Sequence, residues 1–318
     1  MDNEKPDTME KTQAGTIYDA VYRTLTVSCS RLLLPVLNEV FGESYTGEEF
    51  VDFSLNEHFM NRQDGKQDKR VTDTSFTVYG SEKKKYLFEC QSRPDSSILI
   101  RFFEYSTQIA LDDGKVVGDV LEVEIPHCAI LYLRSWKSTP DRLQIRMNTP
   151  GGSVAFEVHA LKLQEYTIEE IFEKKLFMLV PFYIFTYEKH FGEYNTDEEK
   201  LNKLQAEYAG IVTCLDRLVE QRQLSSYEKS MIIDLSKKVL EGIAARYEKV
   251  RKGVREVFGG KIIETDTLRI YRAGETDTKR RTSFKLYDLG MKEADIARVL
   301  EVSVSKVEEW LSAATVTA

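Results

Sequence analysis

Asp73, Glu89 and Gln91 are the residues whose types and spacing could do chemistry in this chain. Asp73 lies in the run 71–79 (VTDTSFTVY), and the other two lie in 86–92 (YLFECQS). Both runs are rich in β-branched and aromatic residues and read as strands joined by a polar, lysine-rich turn at 80–85. In an antiparallel hairpin centred on that turn, Asp73 falls near Gln91 across the ladder. Glu89 and Gln91 are two positions apart, so their side chains leave the same strand face. Two carboxylates and an amide oxygen then converge, a donor set favoured by hard divalent cations such as Mg²⁺. The chemistry implied is metal-assisted phosphodiester cleavage. A solvent-facing Asp and Glu would give the same spacing. The neighbourhood weighs towards the metal site: Glu89 follows Tyr86-Leu87-Phe88, which suggests a central strand. A carboxylate beside buried apolar positions is costly unless paired or metal-bound.

The elements that must position these groups follow directly. Ser92-Arg93-Pro94-Asp95 reads as a turn leading into a helix over 98–110, with Ile98, Phe102, Tyr105 and Ile109 on one stripe. Arg101 and Tyr105 stand one turn apart on that helix. Asp73, the run Phe88-Glu89-Cys90-Gln91-Ser92-Arg93-Pro94-Asp95 and the run Arg101-Phe102-Phe103-Glu104-Tyr105 together resemble the PD-(D/E)XK nuclease superfamily. Within it, the pattern is most similar to the recombination-promoting nuclease, transposase-associated family. That group shows a glutamate, one residue, then glutamine and serine, followed by a helix with an Arg and a Tyr. The resemblance extends to 32–42 (LLLPVLNEVFG) and 175–183 (KLFMLVPFY), and so covers roughly 15–190.

The resemblance implies an α/β fold with a restriction-endonuclease-like mixed sheet core flanked by helices; the caps and apolar stripes after 195 add an all-helical C-terminal region. It implies a Mg²⁺-dependent DNA endonuclease linked to recombination or mobile elements, with Mn²⁺ as a substitute ion. Asp73 and Glu89 would hold the metal. Gln91 stands where the superfamily usually carries a lysine; it can hydrogen-bond the attacking water but brings no positive charge. Glu39, on the first predicted helix, matches a helix carboxylate that joins such sites; a solvated helix end is its plainer reading. Arg101 and Tyr105 would steady the site or touch the phosphate, or else serve helix packing and an ion pair with Glu104 or Asp95. A nuclease-fold module that binds DNA or a protein without cleaving is the alternative, RNA stays open as substrate, and a purely structural assembly through the long helices is a third reading.

Composition bounds these readings. The chain has 318 residues, 42% of them hydrophobic, and a formal net charge of −8. Bulk attraction to nucleic acid is not expected, so affinity needs a local basic surface and metal. Cys29, Cys90, Cys128 and Cys214 are scattered, without zinc spacing or a disulfide framework, and fit the cytoplasm. Cys90 points to the opposite strand face from its neighbours Glu89 and Gln91 and reads as a small core hydrophobe. His58, His127, His159 and His190 form no metal motif. Residues 1–14 read as a loose tail, and the apolar run 176–185 is too short to span a bilayer. No membrane partner is expected.

Beyond the hairpin, 16–41 is helical with a break near Pro35, 50–55 a strand, 56–69 a polar loop, and 119–124, 126–133, 143–147 and 154–163 strands. Thr167 caps a helix with Glu169 and Glu170 in its first turn. Residues 195–260 read as a helical hairpin. Its first helix starts at Thr196-Asp197, and its second starts at a capping box, Ser225 to Glu228, and runs to Gly259-Gly260. Its apolar stripe suits either intramolecular packing or a homodimer seam, and Lys249, Arg251, Lys252 and Arg255 give one basic end. A linker (261–281) and a helix-turn-helix-like unit (282–313) complete the chain. Lys279, Arg280, Arg281 and Lys306 are its candidate DNA contacts, although Glu308 and Glu309 on the second helix oppose phosphate binding.

Overall fold

The computed structural model describes residues 9–53, 57–61, 67–71, 75–259, 283, 286–287, 291–300 and 302–315. It divides into two compact units, Met1–Gly260 and Lys261–Ala318. The first unit is a mixed α/β structure built on a six-stranded sheet, and the elements described after it are all helical.

The strands are β1 (Phe50–Phe53), β2 (Glu57–Asn61), β3 (Gln67–Val71), β4 (Ser75–Tyr79), β5 (Lys83–Gln91), β6 (Lys115–Val117), β7 (Val120–Glu122), β8 (His127–Tyr132), β9 (Arg142–Thr149) and β10 (Gly152–Lys162). The large sheet has the order β1-β4-β5-β8-β10-β9. Its middle ladders, β5–β8 and β8–β10, are parallel, and the outer ones are antiparallel. Parallel pairing needs a crossover. Between β5 and β8 that crossover contains helix α3, whose Ile98, Phe102, Tyr105 and Ile109 pack on Leu87, Cys128, Ile130 and Val158 of the sheet. The predicted apolar stripe is the face that α3 buries.

The helices are α1 (Met9–Ser28), α2 (Leu34–Phe41), α3 (Ile98–Asp112), α4 (Ile168–Glu173), α5 (Phe191–Thr196), α6 (Glu198–Glu220), α7 (Ser226–Ile243), α8 (Glu248–Val257), α9 (Glu293–Leu300) and α10 (Val304–Thr315). The opposite sheet face lies under α1 and α2: Tyr22 packs on Phe88, and Phe41 meets Tyr86, His127 and His159. A 3-10 turn, Ser30–Leu33, separates α1 from α2, and Pro35 sits in the first turn of α2, where its missing N–H costs nothing. Gly42 ends α2 with φ 68°, the left-handed geometry that glycine adopts most cheaply. The apolar run near 176–185 becomes a buried 3-10 stretch, Phe177–His190, against which α7 packs. Among the described residues no helix is long and apolar enough to cross a membrane.

Several expectations are corrected. The helix of 16–41 reaches back to Met9, into the stretch read as a tail. The supposed loop 56–69 contains β2 and β3, paired antiparallel with Glu57 opposite Val71; backbone hydrogen bonding does not depend on the polarity that suggested a loop. Val71 therefore ends β3, and the next strand begins at Ser75. The turn after β4 is shorter than the 80–85 expected, because Lys83 already pairs with Tyr79. Residues 119–124 contribute β7 to a two-stranded sheet with β6, apart from the main one. The second long helix breaks after Ile243: the Tyr247 ring packs on Phe191, and Asn195 Oδ1 accepts the Lys249 N–H at 2.9 Å to start α8. The helices of 195–260 are not a separate body. They lie in the first unit, with α7 on α1. Leu204, Tyr208, Ile211, Leu215, Ile232, Leu235 and Val239 are buried within the single chain, which accounts for the stripe without a partner copy.

Candidate active site

Glu89 is 0% exposed near the C-terminal end of β5, between β4 and β8. Its face is set by the register: Leu87 and Glu89 project towards α3, whereas Tyr86 and Phe88 meet α1 and α2. Across the parallel ladder Glu89 pairs with the apolar Ile130. A carboxylate in such surroundings requires a cation, and Arg101, on the first turn of α3 facing the sheet, supplies it.

Arg101 Nη2 lies 3.0 Å from Glu89 Oε2 and 3.2 Å from Asp95 Oδ2. With its amide turned so that both groups are satisfied, the Gln91 oxygen accepts from Arg101 Nη2 at 2.6 Å and its nitrogen donates to the Arg93 carbonyl at 2.8 Å. Glu89 and Gln91 thus share a face, as expected, and meet on one guanidinium. Asp95 is held from the other side by Ser97, whose backbone N–H donates at 2.8 Å and whose hydroxyl donates at 2.7 Å. Burial opposes ionisation of Asp95, but the Ser97 bonds and the Arg101 charge outweigh it and hold the carboxyl below its ordinary value.

A second arginine fixes the strand end. Arg134 donates to the Ser92 carbonyl at 2.5 Å, forms a paired contact with Glu188 at 2.5 and 2.6 Å, and lies 4.6 Å from the centre of the Phe185 ring. Leu133 N–H donates to the Gln91 carbonyl at 2.9 Å. The backbone on both sides of Gln91 is therefore pinned. Sequence reasoning missed Arg134. Its signal was position: it lies just past the C-terminal end of a buried parallel strand, where α/β sheets place ligand sites.

Other predicted site residues fall elsewhere. Glu39 is not in this cluster. Its Oε1 accepts from Tyr166 Oη at 2.9 Å and from Lys174 Nζ at 2.6 Å, so it ties α2 to the chain around α4. Tyr105, 5% exposed, belongs to the apolar cluster between α3 and the sheet. Cys90 is buried on the α1 side, as its alternation requires. At the basic end of 249–255, Arg251 and Arg255 reach Glu241, and Lys252 reaches Glu248, so these charges are matched within the chain. Lys306 lies on α10, whose start is capped by Ser303 Oγ accepting the Lys306 N–H at 3.2 Å. In that unit Ile296, Ala297, Leu300 and Val307 form a small core, the interior assigned to the helix-turn-helix pattern.

Asp73, Lys279, Arg280 and Arg281 lie outside the described residues. The described β4–β5 ladder ends at the Ser75–Leu87 pair. Among the described residues no group of three or more His, Cys, Asp or Glu comes together as a metal site. Comparison of the chain with family models, with curated proteins and with solved structures gives no match.

Proposed function

We propose that this chain is a Mg²⁺-dependent endonuclease that hydrolyses DNA phosphodiester bonds. One observation carries the reading: a fully buried carboxylate, Glu89, near the end of a central strand, sharing its face and its arginine with Gln91 two residues on. The donor types fit a hard cation, which takes carboxylate and amide oxygens. Glu89 and Asp73 would hold it. The proposal needs Asp73 opposite Glu89, two pairs beyond Ser75–Leu87 in an uninterrupted β4–β5 register. When bound, the ion polarises a phosphoryl oxygen and lowers the pKa of the attacking water.

The protein's own groups do the rest. Arg101 stabilises the buried Glu89 charge before any ligand arrives, and its guanidinium would offer positive charge to a scissile phosphate. Asp95 gives that guanidinium a second anchor, which would hold it in place were Glu89 to ligate the ion. The Gln91 amide orients water without adding charge, so Arg101 supplies the cationic role that the superfamily's usual lysine would fill. Arg134 keeps the Gln91 backbone fixed, and fixed geometry is most of what a phosphoryl-transfer site contributes.

A second reading has its own observation. Arg101 Nη2 already contacts Glu89, Asp95 and Gln91, which suits a nuclease fold kept as a DNA- or protein-binding module. Nicking of supercoiled plasmid separates the two. Wild type in Mg²⁺ should nick and Glu89→Ala should not, with the far-ultraviolet circular dichroism spectrum unchanged. Equal nicking by both proteins refutes the assignment.

A further inference from the structure

Beside the Glu89–Arg101 cluster lies a cavity of about 450 Å³ at the C-terminal end of β5 and β8. Tyr132, Trp136, Pro94 and Pro140 form much of its wall, and Gln91 and Asp95, both partners of Arg101, close its inner side. Its volume falls in the range of about 300–1,000 Å³ typical of small-molecule sites.

Trp136 draws notice because it is 49% exposed on a short turn, 136–139. That turn is held firmly. Thr139 N–H donates to the Trp136 carbonyl, and Thr139 Oγ1 accepts the Trp136 N–H, both at 2.9 Å. Ser135 N–H donates to Gln164 Oε1 at 3.2 Å. A large aromatic side chain, half in water on a fixed turn beside a cavity with a second ring, is a stacking platform. Burial raises the Tyr132 hydroxyl pKa, and the Lys162 charge partly offsets this. The phenol therefore stays protonated and can donate a hydrogen bond.

We propose that this cavity is a nucleobase subsite, taking one unpaired base of a DNA strand against Trp136 and Tyr132 while the adjoining phosphate runs towards Arg101. This rests on the nuclease reading and adds a substrate class: single-stranded or locally unpaired DNA. Only an unpaired base offers its ring face, since in a duplex both faces are stacked. The exposed Arg93 and Lys137, each next in sequence to a wall residue, give the backbone local positive charge that the net −8 of the chain does not. The wall supplies hydroxyls from Ser96, Ser138 and Thr139, but stacking predominates, so tolerance of base identity is expected.

The chain has two tryptophans, Trp136 and Trp310. Trp310→Phe in the full-length protein leaves Trp136 as the sole reporter. A ten-nucleotide thymidine oligomer, added at low salt with chelator to prevent cleavage, should quench its emission saturably, and the matching duplex should quench it far less. Labelled-oligomer anisotropy should show Trp136→Ala weakening binding about tenfold, with Trp136→Phe close to wild type. Because Trp136 lies on an exposed turn, both substitutions should leave the thermal midpoint unchanged. No quenching by the oligomer, equal quenching by the duplex, or equal affinity for Trp136→Ala overturns the subsite. If wild type fails to nick plasmid while the tryptophan effects hold, hydrolysis falls and the base site stands. Glu89-dependent nicking with a silent Trp136 has the reverse meaning.

Discussion

Burying a carboxylate as completely as Glu89 costs several kcal/mol unless a cation and hydrogen bonds compensate, and loss of the cation from such a pair costs about 3–5 kcal/mol. Arg101 is the group on which that balance turns, because Glu89, Asp95 and Gln91 all reach the same guanidinium. Asp95 offers a pH test of the cluster. Its carboxyl is held below the ordinary value, so the stability it contributes is present above the unfolded-state value and is lost as pH falls through the folded-state one. Asp95→Asn should therefore flatten the acid limb of the stability curve as pH falls through and below the ordinary carboxylate range. Parallel acid limbs in urea titrations of the two proteins would contradict the network. At this scale the sequence was informative about Glu89, Gln91 and Arg101, because alternation and helical spacing set their faces. It was silent on Arg134, whose contacts with Ser92 and Glu188 span 42 and 54 positions. It misled on Glu39, because nothing local distinguishes a site carboxylate from one neutralised by Lys174.

The elements that carry the site are fixed by caps as much as by packing. Ser225 Oγ accepts the Glu228 N–H at 3.1 Å, and Glu228 Oε2 accepts from Ser225 N–H at 2.7 Å, completing the box that starts α7. Glu228 also accepts from Arg31 at 2.9 and 3.2 Å, joining α7 to the turn after α1, and α1 covers the sheet face opposite Glu89. Ser225→Ala should cost about 1 kcal/mol, and Glu228→Ala about 2 kcal/mol because the Arg31 pair goes with the cap. Urea midpoints at unchanged slope measure this. Equal losses for the two variants would mean that the Arg31 contact contributes nothing. Both capping boxes, at Thr167 and Ser225, were legible as short motifs. The α7–α8 break was not, since it depends on Tyr247 meeting Phe191 rather than on a local Gly or Pro. The β2–β3 ladder escaped for a similar reason, being made of backbone bonds in a polar stretch.

For the whole molecule, charge and division into units bear most on function. At −8 the chain has no general attraction for DNA, so the proposed binding would have to be local, through Arg101 and its surroundings and the proposed ion. Glu89, Gln91, Arg101 and the Trp136 cavity all belong to Met1–Gly260, whereas the helix-turn-helix-like core belongs to Lys261–Ala318. The proposed cleavage chemistry and any groove contact would thus fall to different bodies. The mixed sheet with flanking helices was foreseeable from strand and helix periodicities, and packing of 195–260 on the first unit was one of the two readings its apolar stripe allowed, because such a stripe does not name its partner. Everything functional rests on Asp73 and Glu89 sharing one cation. Isothermal calorimetry of Mg²⁺ binding to wild type and Asp73→Ala tests that directly. The expected result is one site per chain in wild type, abolished in Asp73→Ala while the thermal midpoint of the metal-free protein is retained. Identical Mg²⁺ isotherms for the two proteins, or no binding by wild type, would contradict it.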